Sequence, residues 1–299
     1  MVATMATAEQ TKTGVSIRNV LIATDFSRHS SNILHAGMSF CHVQGARPFI
    51  VYVLPVDQFA LAGPEAYAAA RDAVQRDLQD LEHKMRAEYG YERGEDYELL
   101  MCEGDVAESV LECAREKHID LIAVGTHGRT GLSKALLGSV AESIFRHSEI
   151  PVLTVGPSAR HLPPAGPKRL LVPIDFTAVA QHSASYACAL AREHQAELVL
   201  MHVIRDVPAR GAMADIECLK RGVEKNMAEL IQCEAKPGVV KFMAECGSVV
   251  PTILKAAYEL KPDLMVLGAH EYPHLLDQFR RKPAYELVCE SPCPVLTVR

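Results

Sequence analysis

The chain has 299 residues, 48% of them hydrophobic and 23% charged, and a formal net charge of −6. That supplies cores for one large or two ordinary globular domains, while an acidic balance with scattered Lys and Arg excludes the electrostatic footprint of a nucleic-acid or anionic-membrane binder. No stretch of about eighteen apolar residues offers a transmembrane helix, so no membrane partner is expected. The nine cysteines are spread through apolar segments without Cys-x-x-Cys spacing. This is the usage of a reducing compartment, and a cytoplasmic protein is expected.

Residues 1–17 are mostly small and polar and are expected to form a disordered tail. Asn19 to Thr24 then reads as a buried strand ending at Asp25, followed by a helix over Ser30 to His42 and a second strand over Pro48 to Val53. A long polar helix is predicted from about Pro64 to Tyr89. Tyr97 to Cys102, Leu121 to Val124 and Val152 to Val155 read as strands, with a helix over Val106 to Lys117 and another opening near Ala141. Short apolar strands separated by helices argue for a parallel sheet covered on both faces, and the right-handed crossover rule makes it doubly wound.

The chain then repeats itself. Asn19 to Ser27 matches Arg169 to Thr177 at an offset of 150, while Asp120 to Gly125 matches Asp263 to Gly268, and Pro151 to Val155 matches Pro294 to Val298, at an offset of 143. Two homologous α/β domains follow, over 18–156 and 169–299. The Pro- and Gly-rich stretch 157–168 cannot continue helix or sheet and reads as a linker.

The stretch that best fits a ligand lies between the fourth strand and the following helix, in the pattern Gly125-x2-Gly128-x9-Gly138-Ser139. Glycines let backbone N–H groups converge on an anion, and a helix N-terminus adds partial positive charge. The glycine spacing matches neither a Walker A loop nor the dinucleotide fingerprint. Asp25, at the end of the first strand, fits two roles equally: acceptor for a ribose hydroxyl or base amino group at the sheet's switch point, or cap for the next helix.

With these residues the sequence resembles the universal stress protein family over both halves. The resemblance implies an adenine nucleotide α hydrolase-like fold, with two tandem doubly wound five-stranded parallel-sheet domains of strand order 3-2-1-4-5. It implies that ATP or another adenine nucleotide binds the first half, with Mg arriving on the phosphates. Asp25 would contact the adenosine part, and Val53 would bond adenine through its backbone. The loop Gly125, Thr126, His127, Gly128 and Arg129 would approach ribose and phosphates, with Gly138, Ser139 and Val140 holding the phosphate tail. It further implies antiparallel pairing of the fifth strands, an internal pseudo-dimer of the two halves, with a homodimer left open.

The second half departs from the pattern. Gly128 is replaced by Glu271, Gly138 by Arg281 and Ser139 by Lys282, while Gly125 persists as Gly268. This half reads as a degenerate domain kept for packing, the alternative being a nucleotide held by Asp175, Val203 and Gly268 with Arg281 and Lys282 attracting its phosphates. Three readings of the whole stand side by side: a nucleotide-dependent stress-response regulator, a slow ATPase on the same fold, and a nucleotide-free scaffold. No arrangement of Ser, His, Cys or Asp stands out as catalytic.

Overall fold

The computed structural model describes residues 15–27, 30–59, 63–126, 137–205, 213–231, 239–268 and 283–299. In the first half, strands β1 (Asn19–Ala23), β2 (Arg47–Leu54), β3 (Glu98–Glu103), β4 (Leu121–Gly125) and β5 (Val152–Val155) alternate with helices α1 (Ser30–Gln44), α2 (Gly63–Lys84), α3 (Val106–Glu116) and α4 (Ser139–His147). The second half repeats this with β6 (Arg169–Pro173), α5 (Ala178–His194), β7 (Glu197–Ile204), α6 (Met213–Leu230), β8 (Val240–Cys246), α7 (Val249–Leu260), β9 (Leu264–Gly268), α8 (Pro283–Glu290) and β10 (Val295–Val298).

Among the described residues all strands join one ten-stranded sheet in the order β3-β2-β1-β4-β5-β10-β9-β6-β7-β8. Each half therefore has the 3-2-1-4-5 order with parallel neighbours, and the order reverses between β1 and β4 and between β6 and β9. At the centre β5 and β10 run antiparallel, with Leu153 opposite Leu296. Threonines reinforce that seam reciprocally: Thr154 Oγ1 donates to the Val295 carbonyl at 3.0 Å and Thr297 Oγ1 to that of Val152 at 3.1 Å.

Strand periodicity sorts the core onto two faces. Ile22 and Ile50 point to the layer of α1 and α2, whereas Leu21, Val51, Val53 and Ile122 point to α3 and α4. Both faces of the central strands are buried, which is why they read as continuous apolar runs. The N-terminal end of each half is tied by one carboxylate: Asp120 Oδ2 accepts the N–H groups of Arg18 and Asn19, and Asp263 Oδ2 those of Lys168 and Arg169.

Two expectations change. The tail proposed over 1–17 ends earlier, because Ile17 is 2% exposed within the core and its N–H donates to Gln44 Oε1 at 3.1 Å; an isoleucine that can reach apolar cover does not stay in solvent. Residues 1–14 lie outside the described residues. The long helix α2 ends as an α-helix five residues sooner than its polar pattern suggests, at Lys84, and the rest is a single π turn over Met85–Tyr89 closed by Gly90 in the left-handed region, φ 69°. Met85, fully buried, anchors that turn.

The connector between the halves is packed against both. Leu162 is buried, Ser39 Oγ on α1 donates to the Pro163 carbonyl at 2.6 Å, and Arg160 donates from its N–H to Pro292 and from its guanidinium to Pro262. No helix among the described residues is long and apolar enough to cross a membrane.

Candidate functional site

The crevice outside the carboxyl ends of β1 and β4 is where the strand order reverses, the place at which open α/β sheets leave room for a ligand. Four chain segments meet there. Along β1 the ladder ends with Thr24 N–H donating to the Val51 carbonyl at 3.0 Å. Alternate residues of a strand present their polar backbone to the same edge, so Val53 directs its N–H and C=O toward the β1 side, past that last bond. A planar ring with adjacent donor and acceptor atoms can pair with such an edge.

After β1 the chain must turn sharply into α1. Phe26 takes up the turn in the left-handed region, φ 56°, which costs a bulky residue free energy unless its surroundings hold it. Two contacts hold it: its ring stacks on Tyr52 of β2, 5.2 Å between centroids and 19° between planes, and Asp25 Oδ1 accepts the Ser27 N–H at 2.9 Å. The same oxygen accepts the Ser30 hydroxyl at 2.5 Å. Asp25 thus braces the turn that leads into α1, with its carboxylate fixed at the rim of the crevice. Neither Phe26 nor Tyr52 was singled out by sequence reasoning. The repeated Asp-Phe pair, Asp25-Phe26 and Asp175-Phe176, was the signal that could have found the turn, and Phe176 has φ 63°.

Gly125 closes β4 in register with Val155. Thr126 is fully buried and gives its N–H to the Val155 carbonyl at 3.1 Å, while its own carbonyl accepts the Gly138 N–H at 2.8 Å. Thr126 and Gly138 therefore pin the two ends of the loop together. His127, Gly128 and Arg129 lie outside the described residues. Gly138 is the N-cap of α4, with extended backbone, and its carbonyl accepts the Glu142 N–H at 2.8 Å as the first helical bond. The N–H groups of Ser139, Val140 and Ala141 are then left without intrahelical acceptors, beside the positive end of the helix dipole. Ser139 is exposed and Val140 half-buried. The structure thus gathers Asp25, Val53, Gly125, Thr126, Gly138, Ser139 and Val140 at the switch-point end of the first half.

One contact reaches this site from the other half: Tyr285 on α8 accepts the Leu137 N–H through its hydroxyl, at 3.1 Å. Spacing along the chain gives no hint of it.

The corresponding crevice of the second half is built differently. A Cβ added to Gly268 would lie 2.8 Å from Val179 Cγ1 and 3.0 Å from the Val179 carbonyl oxygen, so the first turn of α5 sits directly over the end of β9. Gly268 persists for close packing. The first helical residue of α8 is Pro283, which has no N–H to offer where the first half has Val140. His202 replaces Tyr52 beneath the left-handed Phe176, 4.6 Å between ring centroids, and bonds the Ile174 carbonyl through Nδ1 at 2.7 Å. Asp175 braces the equivalent turn, accepting from Thr177 N–H and Oγ1, and Thr177 itself caps α5. Glu271, Arg281 and Lys282 lie outside the described residues. No group of three or more His, Cys, Asp or Glu side chains among the described residues is arranged to hold a metal.

A duplicated 3-2-1-4-5 sheet with helices on both faces defines a tandem α/β protein. Its family is shown directly: the model of the universal stress protein family matches residues 16–156 and again 166–299, and the chain belongs to that family. A universal stress protein of Methanocaldococcus jannaschii, MJ0531, is 30% identical over 139 residues, 46% of this chain and 81% of that protein. Over nearly the whole length, the crystal structure of a universal stress protein from Archaeoglobus fulgidus superposes with a TM-score of 0.70 at 20% identity, covering 96% of this chain and 98% of that one. A universal stress protein solved in complex with cAMP is 24% identical over 47% of this chain and 98% of its own, with a TM-score of 0.35.

Proposed function

We propose that this chain is an adenine-nucleotide-binding universal stress protein that holds one ATP in its first half and uses the bound state as a regulatory signal in the stress response. The observation that carries this reading is the pair of backbone surfaces at the β1/β4 switch point: the strand edge at Val53 for the base, and the N–H groups of Ser139, Val140 and Ala141 for the phosphates. Asp25, oriented by Ser27 and Ser30, receives hydroxyl or amino donors between them. Thr126 holds Gly138 close to the end of β4, so that Gly125 and Gly138 offer backbone without side chains beside the anion. Mg²⁺ enters with the phosphates rather than on a protein cage.

The units in this reading are a nucleotide-binding domain, a packed connector and a degenerate domain, the two domains forming an internal pseudo-dimer across β5 and β10. Cytoplasmic residence follows from the cysteine usage. Asp25 is given a positioning role, not that of a base, because its Oδ1 already accepts two hydrogen bonds. Mass spectrometry of the denatured, purified protein, paired with calorimetry of ATP binding, tests the proposal. One adenine nucleotide per chain is expected. Two per chain would overturn the assignment of the second half, and none, with no ATP binding, would replace the reading with that of a nucleotide-free scaffold.

Tyr285→Phe probes the dependence of this site on the other half. Losing the hydroxyl leaves the Leu137 N–H without its acceptor, a cost of about 1 kcal/mol in stability, and loosens the base of the loop beside Gly138. ATP affinity is expected to fall about three- to tenfold, since 1.4 kcal/mol is a factor of ten. Unchanged affinity in calorimetry would reduce Tyr285 to a packing residue.

A further inference from the structure

The first half contains a second chemical feature that nucleotide binding does not use. Cys102 on β3 and Cys113 on α3 lie with their sulfur atoms 3.4 Å apart, joining the edge strand of the sheet to the helix that covers it. Both are free thiols; Cys113 is buried on the apolar face of α3 with Ala107, Val110 and Ala114, and Cys102 is half-exposed. A disulfide needs its sulfurs at about 2.05 Å, so the pair is within about 1.4 Å of bonding distance. In the duplicate the positions are Glu245 and Ala256, so the fold itself does not require the pair.

We propose that Cys102 and Cys113 are a modification site: a dithiol oxidised by hydrogen peroxide or an organic hydroperoxide to a disulfide that ties β3 to α3. The Cys102 thiolate attacks one peroxide oxygen; the S–O bond forms, the O–O bond breaks, and the departing hydroxide or alkoxide takes a proton to leave as water or alcohol. The Cys113 thiolate then attacks the sulfur of the Cys102 sulfenic acid, forming S–S and releasing the hydroxyl as a second water with the proton from Cys113. Two thiols have lost two electrons and the peroxide has gained them. Exposure sets the order, since peroxide reaches the half-exposed Cys102 first. Burial, and then its contact with Cys102, push the Cys113 thiol up to about 12, which slows its attack, and the 3.4 Å separation of the two sulfurs is what offsets that by holding it beside its target.

Cys102 is in register with Val53, so the link forms on the strand directly flanking the proposed adenine edge. That consequence, an oxidation-dependent ATP affinity, rests on the proposed function; the oxidation itself does not.

The test uses the full chain, reduced, freed of reductant and exposed to a small excess of hydrogen peroxide, then alkylated and peptide-mapped without reduction. The expected product has lost two hydrogen masses, carries one peptide cross-link between Cys102 and Cys113, and is restored by dithiothreitol. Cys113→Ala, which copies the duplicate, should instead accumulate a dimedone-trappable sulfenic acid at Cys102. Sulfinic acid at Cys102 in the wild type with Cys113 still alkylatable, or cross-links through other cysteines, would overturn the proposal. ATP titration of the oxidised and reduced protein should differ at least threefold, and equal affinities would remove the coupling. If the nucleotide reading fails, ATP binds neither state while the cross-link still maps, which separates the two failures.

Discussion

Ser139→Glu should lower ATP affinity by about a hundredfold while leaving the melting temperature unchanged or slightly raised. Ser139 is exposed, is the first residue of α4, and follows an N-cap glycine whose side makes no capping bond. A carboxylate in the first turn of a helix is favourable for the fold by about 0.3–1 kcal/mol, because it sits at the positive end of the dipole. The same carboxylate stands where the proposed phosphates would lie. At an effective dielectric near 20, one negative charge about 5 Å from another costs about 3 kcal/mol, and about 1.4 kcal/mol corresponds to tenfold in affinity. Fold and site therefore respond in opposite directions to one substitution. Calorimetry and thermal unfolding on the same preparation read both. A variant that binds ATP as tightly as the wild type would show that α4 does not receive the phosphates.

The asymmetry between the halves points the same way. α8 begins with a proline where the first half has Val140, whose N–H is open at the start of α4. Restoring glycines in the second half would leave Pro283 in place, so the halves differ in the N–H groups at the start of the last helix as well as in glycine content.

Strand positions were legible in the sequence because parallel strands buried on both faces must be apolar throughout: Val20, Leu21 and Ile22, or Leu264, Met265 and Val266, leave little room for another reading. Repetition made the architecture legible as well, since Asp120 and Asp263 tie their halves by identical bonds. The polar pattern of α2 hid its π turn, because Met85 and Gly90 act through burial and a left-handed backbone rather than through period. At the site, the glycine pattern marked Gly125 and Gly138, which end β4 and cap α4, whereas the contact of Gly268 with Val179 is one that only tertiary packing creates. The repeated Asp-Phe pair marked the turn at Phe26, but its stacking on Tyr52 and the bond from Leu137 to the hydroxyl of Tyr285 were invisible for the same reason: these partners are neighbours in space and distant along the chain.

Acid should weaken the joint between the halves through a single imidazole. His194, at the end of α5, is 3% exposed, with Phe40 of α1 edge-on to its ring, 5.9 Å between centroids. The Gln44 side-chain amide lies 3.5 Å from Nε2, whereas Nδ1 is buried without a partner among the described residues, against Gly166. A Cβ on Gly166 would come within 2.2 Å of Nδ1, so no space remains there for a water. Protonation would bury a charged N–H with nothing to accept it. Burial, aided by the Lys168 ammonium, accordingly lowers the imidazole to about 4 from its ordinary 6.5. Between those values the unfolded chain binds a proton that the folded chain refuses, so stability is full above about pH 7 and declines as pH falls toward 4. A difference of this size corresponds to about 3 kcal/mol, most of it lost by about pH 4.5. Urea unfolding of wild type and His194→Gln at intervals from pH 7.5 to 4.5 isolates the effect. Glu193, whose carboxyl is pushed up by burial, titrates in both proteins and largely cancels in the difference. The stability gap between the two proteins should shift by about 2–3 kcal/mol in favour of the glutamine variant across that range. A gap that stays constant with pH would mean that His194 takes up its proton in the folded protein as readily as in the unfolded one, and that the joint between α1 and α5 is not held by a neutral ring.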